Sequence, residues 1–483
     1  MSDAELANLT KILTQDPGLP RANPTQSYWQ RSPHPLSTAQ SASLPETTDI
    51  AIIGSGITGA SVTKTLLEKD SSCRVTVFEA RTLCSGATGR NGGQLAINAA
   101  ERYPGLKEAV GAEMAGKIVQ FNIATLRRLR EIAREISAEE YTELTGTVKL
   151  RCFKDEDSFE KVKKGVAALE ADHPSFKGFY QILGSERCEK EHGVFGIAGG
   201  ILHPAGTIWP YRLVTKIFEK LMERFPSRLA LETNTPVITA VEYDSTIDHK
   251  YPYALRTTRG VVRASQVAYC TNAYTGHLLP SLRGPLFPLR GTMTVQDLGA
   301  QSENKGSTTS WAIHYKPYHD AEDETYADGL IYGMQNVHTG AYFFGGEKAT
   351  AADMLSTDDS TLSPSSVRFL QQSLLSLFGR ESKNLEESRL VSAWSGAMCF
   401  SSDKMPLVGR LASSVSGNVG DGEWICAAYS GYGMPIAWLA GESLGAMILG
   451  LPPDDLLPEA YFISEERLNE QLTTERSIDG VIG

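Results

Sequence analysis

The pattern of apolar and polar residues first becomes regular at residue 48. A short apolar run, DIAII, ends at glycines, a helix-like stretch continues to Lys69, and a second apolar run, RVTVF, follows. Two strand-like runs joined by a helix within about thirty residues predict one β-α-β unit. Residues 105–135 then repeat apolar side chains at helical spacing, which predicts a long helix.

The middle of the chain has the pattern of strands. TGTVKLRCF and several short β-rich runs within 230–272, 286–297 and 329–346 predict strands. A helical pattern returns in SPSSVRFLQQSLLSLF and in the apolar stretch MPIAWLAGESLGAMILG. Mixed strands between glycine-rich motifs predict an α/β protein with a discontinuous Rossmann-type cofactor domain and an inserted α+β substrate domain on a mixed or antiparallel sheet.

Approximate boundaries follow from these patterns. The predicted cofactor domain takes residues 48–105, 195–285 and 388–455, and the predicted substrate domain takes 106–194 and 286–387. Residues 1–47 are expected to form an extended N-terminal arm and 456–483 a tail. The arm is rich in Pro, Ser, Thr and Gln and cannot bury much apolar surface alone, so Tyr28 and Trp29 are expected to attach it to the body of the protein.

Composition narrows the class of protein. A chain of 483 residues exceeds what one core usually organises, and 41% hydrophobic with 21% charged residues is typical of a globular enzyme. The net charge of −11 argues against nucleic acid or an anionic membrane as partner. The seven cysteines lack metal-site or redox spacing and are expected to be reduced. Without a secretory signal or an 18-residue apolar run, we expect a cytoplasmic protein with no membrane partner.

The motif Gly54-Ser55-Gly56-Ile57-Thr58-Gly59 lies between the first predicted strand and its helix. Gly54 permits the tight turn, Gly56 lets the backbone approach a pyrophosphate, and Gly59 lets helix and sheet pack closely. The helix start offers free N–H groups to the phosphates. Glu79 ends the next strand and is placed to accept hydrogen bonds from the adenosine ribose. The alternative is a structural glycine turn without a nucleotide.

The segment after Glu79 separates FAD from NAD. Residues 79–94, EARTLCSGATGRNGGQ, are dense in small and hydrogen-bonding side chains. Here the sequence resembles the D-amino-acid-oxidase-like flavoprotein family, which includes glycine, sarcosine and γ-glutamylputrescine oxidases, and S-G-x-T-G-R-N-G-G-Q is most similar to the γ-glutamylputrescine oxidase branch. The resemblance implies that this loop runs along the pyrophosphate and ribityl chain of FAD. The candidate cofactor residues in this region are Gly54, Ser55, Gly56, Thr58, Gly59, Glu79, Ala80, Arg81, Ser85, Gly86, Thr88, Arg90, Asn91, Gly92, Gly93 and Gln94.

The resemblance continues over most of residues 48–450. It implies that Val237 contacts the adenine through its backbone, that residues 270–274 close over the pyrophosphate, and that residues near 396 and 406 flank the flavin. The turn at 428–435 resembles the one that leads into the family's last helix. A helix N-terminus there would stabilise negative charge on reduced flavin; a plain helix cap is the alternative. These additional cofactor candidates are Val237, Thr271, Asn272, Ala273, Gly396, Pro406, Gly431, Tyr432, Gly433 and Met434.

The resemblance also implies the chemistry. Members of the family oxidise a C–N bond of an amine or amino acid by hydride transfer to flavin N5, the imine is hydrolysed in water, and O2 usually reoxidises the flavin. The candidates on the substrate side are His203, Trp209, Tyr332 and Trp394, and each has an ordinary structural role as its alternative. Arg290 either anchors a substrate carboxylate or serves the flavin or the fold.

Three questions stay open at the level of sequence. FAD is expected to be non-covalent, with a covalent link through Cys399 as the alternative, because MCFSSDKMP departs from the family's attachment motif. The electron acceptor is either O2 or, in a flavin dehydrogenase, a quinone or a protein. A tailoring oxidase of secondary metabolism and a flavin-holding structural protein without turnover are further alternatives.

Overall fold

Two β-sheets organise the chain, and each gathers strands from distant parts of the sequence. The computed structural model describes residues 3–299, 302–378 and 389–482. The strands are β1 (Thr47–Ile53), β2 (Val75–Phe78), β3 (Gln94–Leu95), β4 (Thr145–Phe153), β5 (Gln181–Gly184), β6 (Gly199–Thr207), β7 (Leu229–Glu232), β8 (Glu242–Tyr243), β9 (Tyr253–Thr257), β10 (Gly260–Tyr269), β11 (Leu286–Asp297), β12 (Thr309–His314), β13 (Tyr318–Asp320), β14 (Thr325–Gln335), β15 (Tyr342–Ala349), β16 (Arg389–Ser401), β17 (Leu407–Arg410) and β18 (Glu423–Ala427).

Helices cover both sheets. They are α1 (Asp3–Thr14), α2 (Ile57–Lys69), α3 (Ala99–Glu135), α4 (Glu156–Asp172), α5 (Ser185–His192), α6 (Pro210–Arg224), α7 (Thr275–Leu278), α8 (Ala351–Met354), α9 (Pro364–Phe378), α10 (Ser413–Ser416), α11 (Ala437–Ile448), α12 (Glu465–Glu470) and α13 (Thr474–Ile482). The helices predicted at 105–135 and near 363–378 and 434–450 are therefore present as α3, α9 and α11. Helix α3 is interrupted at Gly111, where φ is +80°.

The first sheet is the predicted dinucleotide-binding sheet. Its order is β17-β18-β10-β1-β2-β7, with β9 beside β10 and β8 beside β9, and β1 is parallel to both β10 and β2. The run Ile50–Ile53 is buried throughout, as expected of a central parallel strand covered on both faces. Helix α2 is nearly all buried because α11 packs closely against it: a Cβ on Gly441 would lie 2.8 Å from the Cβ of Ser61.

The second sheet is mixed and contains ten strands within the described ranges. Its order is β16-β11-β15-β14-β12-β4-β6-β3, with β13 beside β14 and β5 beside β6. Strands β3, β6 and β16 pair here, although the predicted boundaries put 48–105, 195–285 and 388–455 in the cofactor domain. The difference arises because strand pairing joins distant segments, which a local pattern does not reveal. The α/β fold class is confirmed, and the division into domains stays a prediction.

One face of the ten-stranded sheet, called here the inner face, carries several of the candidate residues. Residues paired across neighbouring strands point to the same face of a sheet. Lys149 pairs with both His203 and Ser310. Ser310 in turn pairs with Met334, which is two residues from Tyr332 and so shares its face. Tyr332 pairs with Gly345, Gly345 pairs with Met293, and Met293 pairs with Trp394, so all four share this face. The inner face carries Lys149, Arg151, His203, Met293, Ser310, Tyr332, Phe343 and Trp394.

Different elements cover the two faces of this sheet. On the opposite face, Trp311, Ile331 and Phe344 pack with Leu370 and Leu374 of α9. On the inner face, Trp29 of the N-terminal arm stacks on Phe343 with ring centroids 4.4 Å apart. The inner face therefore borders the arm.

Candidate cofactor and active site

The glycine turn at the end of β1 is built to admit a phosphate. Gly54 has φ of +111°, and a Cβ on it would lie 2.5 Å from the carbonyl oxygen of Cys270. A Cβ on Gly59 would lie 2.0 Å from the carbonyl oxygen of Gly54. Gly56 is the N-cap of α2 and provides no side-chain cap. The turn thus brings the start of α2 close to the strand end, and no side chain of the N-cap residue itself caps the helix, which suits an anionic ligand.

Glu79 is fixed beside this turn, at the end of β2. Its Oε2 accepts hydrogen bonds from the Ser55 hydroxyl at 2.6 Å and the Ser55 N–H at 3.2 Å, and its Oε1 accepts from the Arg81 N–H at 2.9 Å. A carboxylate has about four acceptor positions, so Glu79 retains capacity for a ribose hydroxyl. The Thr88 hydroxyl accepts from the Ile57 N–H at 3.0 Å and ties the following loop to the start of α2.

Two buried arginines follow Glu79 and share one carboxylate. Arg81 Nη1 donates to both oxygens of Asp359 at 2.9 and 3.0 Å, and Arg81 Nε donates to the Ser85 hydroxyl at 3.1 Å. Arg90 Nε lies 3.5 Å from Asp359 and donates to the carbonyl of Ser395. Burial lowers the pKa of Arg90 to about 10, and its buried Nη1 has no hydrogen-bond partner. With Glu79 counted, two guanidinium groups stand beside two carboxylates, so the feature that fits the pyrophosphate of FAD is the unpartnered Nη1 donor of Arg90 and not an excess of positive charge.

The end of this loop lies on the inner face. Trp394 Nε1 donates to the carbonyl of Arg90 at 2.7 Å, and Trp29 Nε1 donates to the carbonyl of Asn91 at 2.6 Å. A Cβ on Gly92 would lie 2.8 Å from Cε2 of Tyr332, and one on Gly93 would lie 2.9 Å from Trp29. The next residue, Gln94, begins β3 and pairs with Thr207. The loop therefore connects the glycine turn directly to Tyr332 and Trp394.

Five further cofactor candidates, Ala80, Gly86, Val237, Pro406 and Gly396, lie in different parts of the fold. Ala80 is half-buried between Glu79 and Arg81, and Gly86 precedes the short 3₁₀ turn Ala87–Gly89. Val237 is buried and bridges to Thr257, and Pro406 accepts from Arg467 Nη1 at 3.0 Å. Gly396 lies in β16, where an added Cβ would be 3.2 Å from Cβ of Arg90. Gly396 thus lies against the loop of residues 79–94, called here the predicted flavin loop.

The turn before α11 meets the glycine turn. The Tyr429 hydroxyl lies 2.6 Å from the Thr58 hydroxyl, and the Ala428 N–H donates to Asn272 Oδ1 at 3.3 Å. Asn272 has φ of +44° and Gly431 has φ of +82°. These contacts bring the C-terminal ends of β10 and β18 to the start of α2. The other candidates of this group are Thr271, Ala273, Tyr432, Gly433 and Met434.

The four candidates on the substrate side do not all come together. Tyr332 and Trp394 lie on the inner face beside the loop, and burial raises the pKa of Tyr332 above its usual range. His203 shares this face, and its buried Nε2 has no partner. Burial, helped by the positive charge of Arg151, lowers the pKa of His203 to about 3 and keeps it neutral. Trp209 lies past the end of β6, where its indole N–H donates to the carbonyl of Trp29 at 2.9 Å and Arg212 covers its ring. Trp209 thus supports the arm.

A buried ionic cluster on the inner face is not among the predicted residues. Arg151 forms an ion pair with Glu101, and His314 Nε2 lies 3.4 Å from the same carboxylate. Burial lowers the pKa of Arg151, but Glu101 and the Tyr432 hydroxyl raise it by more, so the guanidinium stays charged. Tyr432 therefore connects this cluster to the predicted flavin turn. The sequence signal was the spacing of Lys149 and Arg151, two cations at alternate positions of one strand.

The N-terminal arm also contributes more than the sequence predicted. Besides Trp29, Gln30 Nε2 donates to the carbonyls of Cys84 and Gly89, and Arg90 Nη2 donates to the Thr25 hydroxyl at 2.6 Å. Trp29 is buried to 1% exposure. The two neighbouring aromatic residues in a polar arm indicated attachment but not the place.

Cys399 and Arg290 have clear local surroundings. Burial raises the pKa of the Cys399 thiol to about 12, which disfavours the thiolate that a covalent flavin link requires. All seven cysteines lie in the described ranges as free thiols. Arg290 is buried and donates to the Asp353 carboxylate at 2.9 Å and the Thr361 hydroxyl at 2.9 Å. Its partners are thus supplied by helix α8 and the segment that follows it.

The glycine turn, helix α2, Glu79 at the end of β2 and the loop that follows it together define the fold of a dinucleotide-binding oxidoreductase. The sequence profile of the family described as FAD dependent oxidoreductase matches residues 49–447. The chain belongs to this family and is an FAD-dependent oxidoreductase. In the part of the chain that the structure describes, no helix is long and apolar enough to cross a membrane, and no cluster of residues suits a metal ion.

Individual relatives are distant but cover most of the chain. The γ-glutamylputrescine oxidoreductase of Escherichia coli is 23% identical over 444 residues, covering 88% of this chain and 89% of the relative. A probable oxidoreductase OrdL of Haemophilus influenzae is 23% identical over 422 residues, covering 84% of each chain. The structure is similar to that of glycine oxidase from Geobacillus kaustophilus, with a TM-score of 0.65 at 16% identity over 87% of this chain and 99% of the other.

Proposed function

We propose that the protein is an oxidase of amines or amino acids. It would break a C–H bond at the carbon beside the amine nitrogen, with hydrolysis of the resulting imine in water and O2 as the final electron acceptor. Bound FAD supplies the two-electron acceptor, taking the hydride at flavin N5. The names of two relatives, a γ-glutamylputrescine oxidoreductase and a glycine oxidase, support a C–N substrate.

The observation that carries the proposal is the course of the loop between the two sheets. It begins at Glu79, which is hydrogen-bonded to the glycine turn, passes Arg81 and Arg90, and ends with Gly92 against Tyr332. A ligand that follows this loop has its phosphates at α2 and its other end at the inner face. The chain therefore offers one continuous track for a dinucleotide that leads to a buried, polar sheet face.

The residues have separate roles in this proposal. The start of α2 and the buried cations Arg81 and Arg90 would hold the pyrophosphate, and Glu79 the ribose. Tyr332 and Trp394 would hold the loop in place and exclude water from the reacting carbon. His203 stays neutral because of its burial, so it would act as a hydrogen-bonding group and not as a cation. Oxidation of a neutral amine needs orientation more than a strong base, which this constellation suits.

The visible spectrum of the purified protein tests the proposal. Bands at ~375 and ~450 nm that bleach on anaerobic addition of one amine or amino acid would support it, because reduction removes the oxidised chromophore. A colourless protein that added FAD does not restore would overturn it. Stopped-flow mixing of the reduced protein with air then tests the acceptor. Slow reoxidation would replace O2 by a quinone or an electron-transfer protein.

A further inference from the structure

Lys149, in the middle of β4, is a buried cation without an anionic partner. Its side chain is almost fully covered, at 2% exposure. Its ammonium group donates to Oε1 of Gln94 and to the carbonyl oxygen of Trp311, and both acceptors are neutral. Within the described ranges no carboxylate forms an ion pair with it. A buried charge left without a counter-charge is costly, so this position requires an explanation.

The nearby acid does not supply the missing charge. Glu101 is the carboxylate of this cluster, and it is already paired with Arg151 and hydrogen-bonded by His314. Burial and the positive charge of Arg151 both lower the pKa of Lys149 well below its usual value. One cation therefore remains in excess on the inner face whenever Lys149 is protonated.

Around Lys149 lie polar atoms that also lack partners. They are Nε2 of Gln94, Nε2 of His203, Oγ of Ser310 and Oγ1 of Thr147, all buried. His203 and Ser310 are the direct cross-strand neighbours of Lys149, and Gln94 touches its ammonium group. Buried polar groups are nearly always hydrogen-bonded, so such a concentration indicates a ligand site. The amide of Gln94 and the hydroxyls of Ser310 and Thr147 can donate to a ligand. Nε2 of the neutral His203, whose Nδ1 donates to the carbonyl of Pro204, and the unpartnered Oε2 of Glu101 can only accept. The matching ligand therefore carries acceptors for the first group and a donor for the second, as an amino acid does.

We propose that Lys149 binds a carboxylate of the substrate, so that the substrate is an amino acid or N-substituted amino acid and not a simple amine. The carboxylate provides the counter-charge that Lys149 lacks and accepts hydrogen bonds from Gln94 and Ser310. This assignment rests on the proposed amine oxidation. It adds the charge that the substrate must carry and the residue that selects it.

The first experiment compares matched ligands on the wild-type holoenzyme. Each amino acid is titrated anaerobically beside the amine that lacks its carboxylate: proline with pyrrolidine, N-methylglycine with dimethylamine, and 5-aminopentanoate with butylamine. We expect the flavin to bleach with carboxylate-bearing members and their amines to be at least about a hundredfold weaker, as for loss of a buried charge-assisted contact. Equal or better reduction by the simple amines would overturn the inference and leave the proposed function intact. No reduction by either class would overturn both.

The second experiment tests Lys149 itself with a readout that needs no turnover. Butanoate, which cannot be oxidised, is titrated while the shift of the flavin bands is recorded. Lys149→Met is expected to raise the dissociation constant of butanoate roughly tenfold or more, and Lys149→Arg to retain most of the affinity. Lys154→Met, an exposed lysine just beyond the same strand, is the matched control and should leave binding unchanged.

The outcomes of the second experiment are separable. Unchanged butanoate affinity in Lys149→Met would overturn the assignment. If Lys149→Met does not fold or hold FAD, Lys149→Gln takes its place, because it removes the charge but keeps a donor for the carbonyl of Trp311; unchanged butanoate affinity in that variant would likewise overturn the assignment. A preference for carboxylates that survives in Lys149→Met would place the anion elsewhere and would equally reject Lys149.

Discussion

Gly59, in the first turn of α2, is where the turn tolerates least change. A Cβ there would lie 2.0 Å from the carbonyl oxygen of Gly54, which is a backbone atom and cannot rotate away. Any side chain must therefore push the start of α2 away from the strand end. The N–H groups that are proposed to hold the pyrophosphate would move with it.

Gly59→Ala is accordingly expected to weaken FAD binding about tenfold to a hundredfold, the equivalent of an overpacking cost of roughly 1–3 kcal/mol. The measurement is titration of apoprotein with FAD, followed by flavin fluorescence. Gly105→Ala is the matched control, because a Cβ there meets no atom within 4 Å. Equal affinities for the two variants would contradict the role assigned to the turn.

The buried Glu347 in β15 is expected to make the stability of the protein depend on pH. Burial raises the pKa of Glu347 from 4.5 to about 7, and a hydrogen bond from the Ser366 hydroxyl opposes this only in part. Between these values the folded protein binds more protons than the unfolded chain, so the contribution of Glu347 falls as pH rises through this window. The loss amounts to at most about 3 kcal/mol.

Glu347→Gln cannot ionise and should lose this dependence. We expect its melting temperature, relative to wild type, to be higher at about pH 8 than at about pH 5, because only the wild type is then forced to bury a charge. Thermal unfolding of both proteins in parallel buffers measures the difference. A constant difference across this range would show that Glu347 does not titrate there.

At the scale of elements, the N-terminal arm behaves as part of the wall around the predicted flavin loop. Trp29 packs on Phe343 of the inner face and donates to the carbonyl of Asn91, while Trp209 donates in turn to the carbonyl of Trp29. The arm has little apolar surface of its own, so this one indole carries much of its attachment. Its loss should affect both the arm and the loop.

Trp29→Ala is expected to destabilise the protein by about 3–5 kcal/mol and to lower FAD retention, because it opens a cavity and leaves the Asn91 carbonyl unpaired. Thermal unfolding and the flavin content after gel filtration measure the two effects. Tyr318→Ala, which removes an aromatic side chain at 44% exposure, should change neither. Normal flavin content in Trp29→Ala would mean that the arm does not support the loop.

Local and long-range features differed in how well the sequence predicted them. The glycine turn, α2 and Glu79 lie within one short β-α-β unit, so their spacing predicted the cofactor and the fold. Tyr332 and Trp394 were found through the resemblance to a family. Asp359 gave no signal, because its partner Arg81 is 278 residues away in sequence. Lys149 and Arg151 were not predicted: their alternation in one strand is compatible with a shared face, but only the pairing of β4 with β6 and β12 shows which residues surround them.

At the scale of the whole molecule, Asp359 joins segments that no local pattern connects. Its carboxylate pairs with Arg81 and lies near Arg90, and its backbone carbonyl accepts from the N–H of Thr25 in the arm. Arg90 in turn donates to the carbonyl of Ser395 in β16. One acid thus holds the arm, the predicted flavin loop and the edge of the ten-stranded sheet together.

Asp359→Asn should therefore act on all three segments at once. Removing the carboxylate leaves two buried guanidinium groups without a counter-charge, which is expected to cost about 3–5 kcal/mol in the free energy of unfolding. If FAD binds where proposed, its pyrophosphate replaces part of the lost negative charge, so the apoprotein should lose more stability than the holoprotein. Denaturant unfolding of the apoprotein and the holoprotein measures this difference in stability loss.

Glu242→Gln, which breaks the exposed pair with Arg256, is the control and should alter the stability of neither form. An equal loss in the apo and holo forms would mean that Arg81 and Arg90 do not face the pyrophosphate. Their ion pairs with Asp359 would then serve only to hold the three segments together.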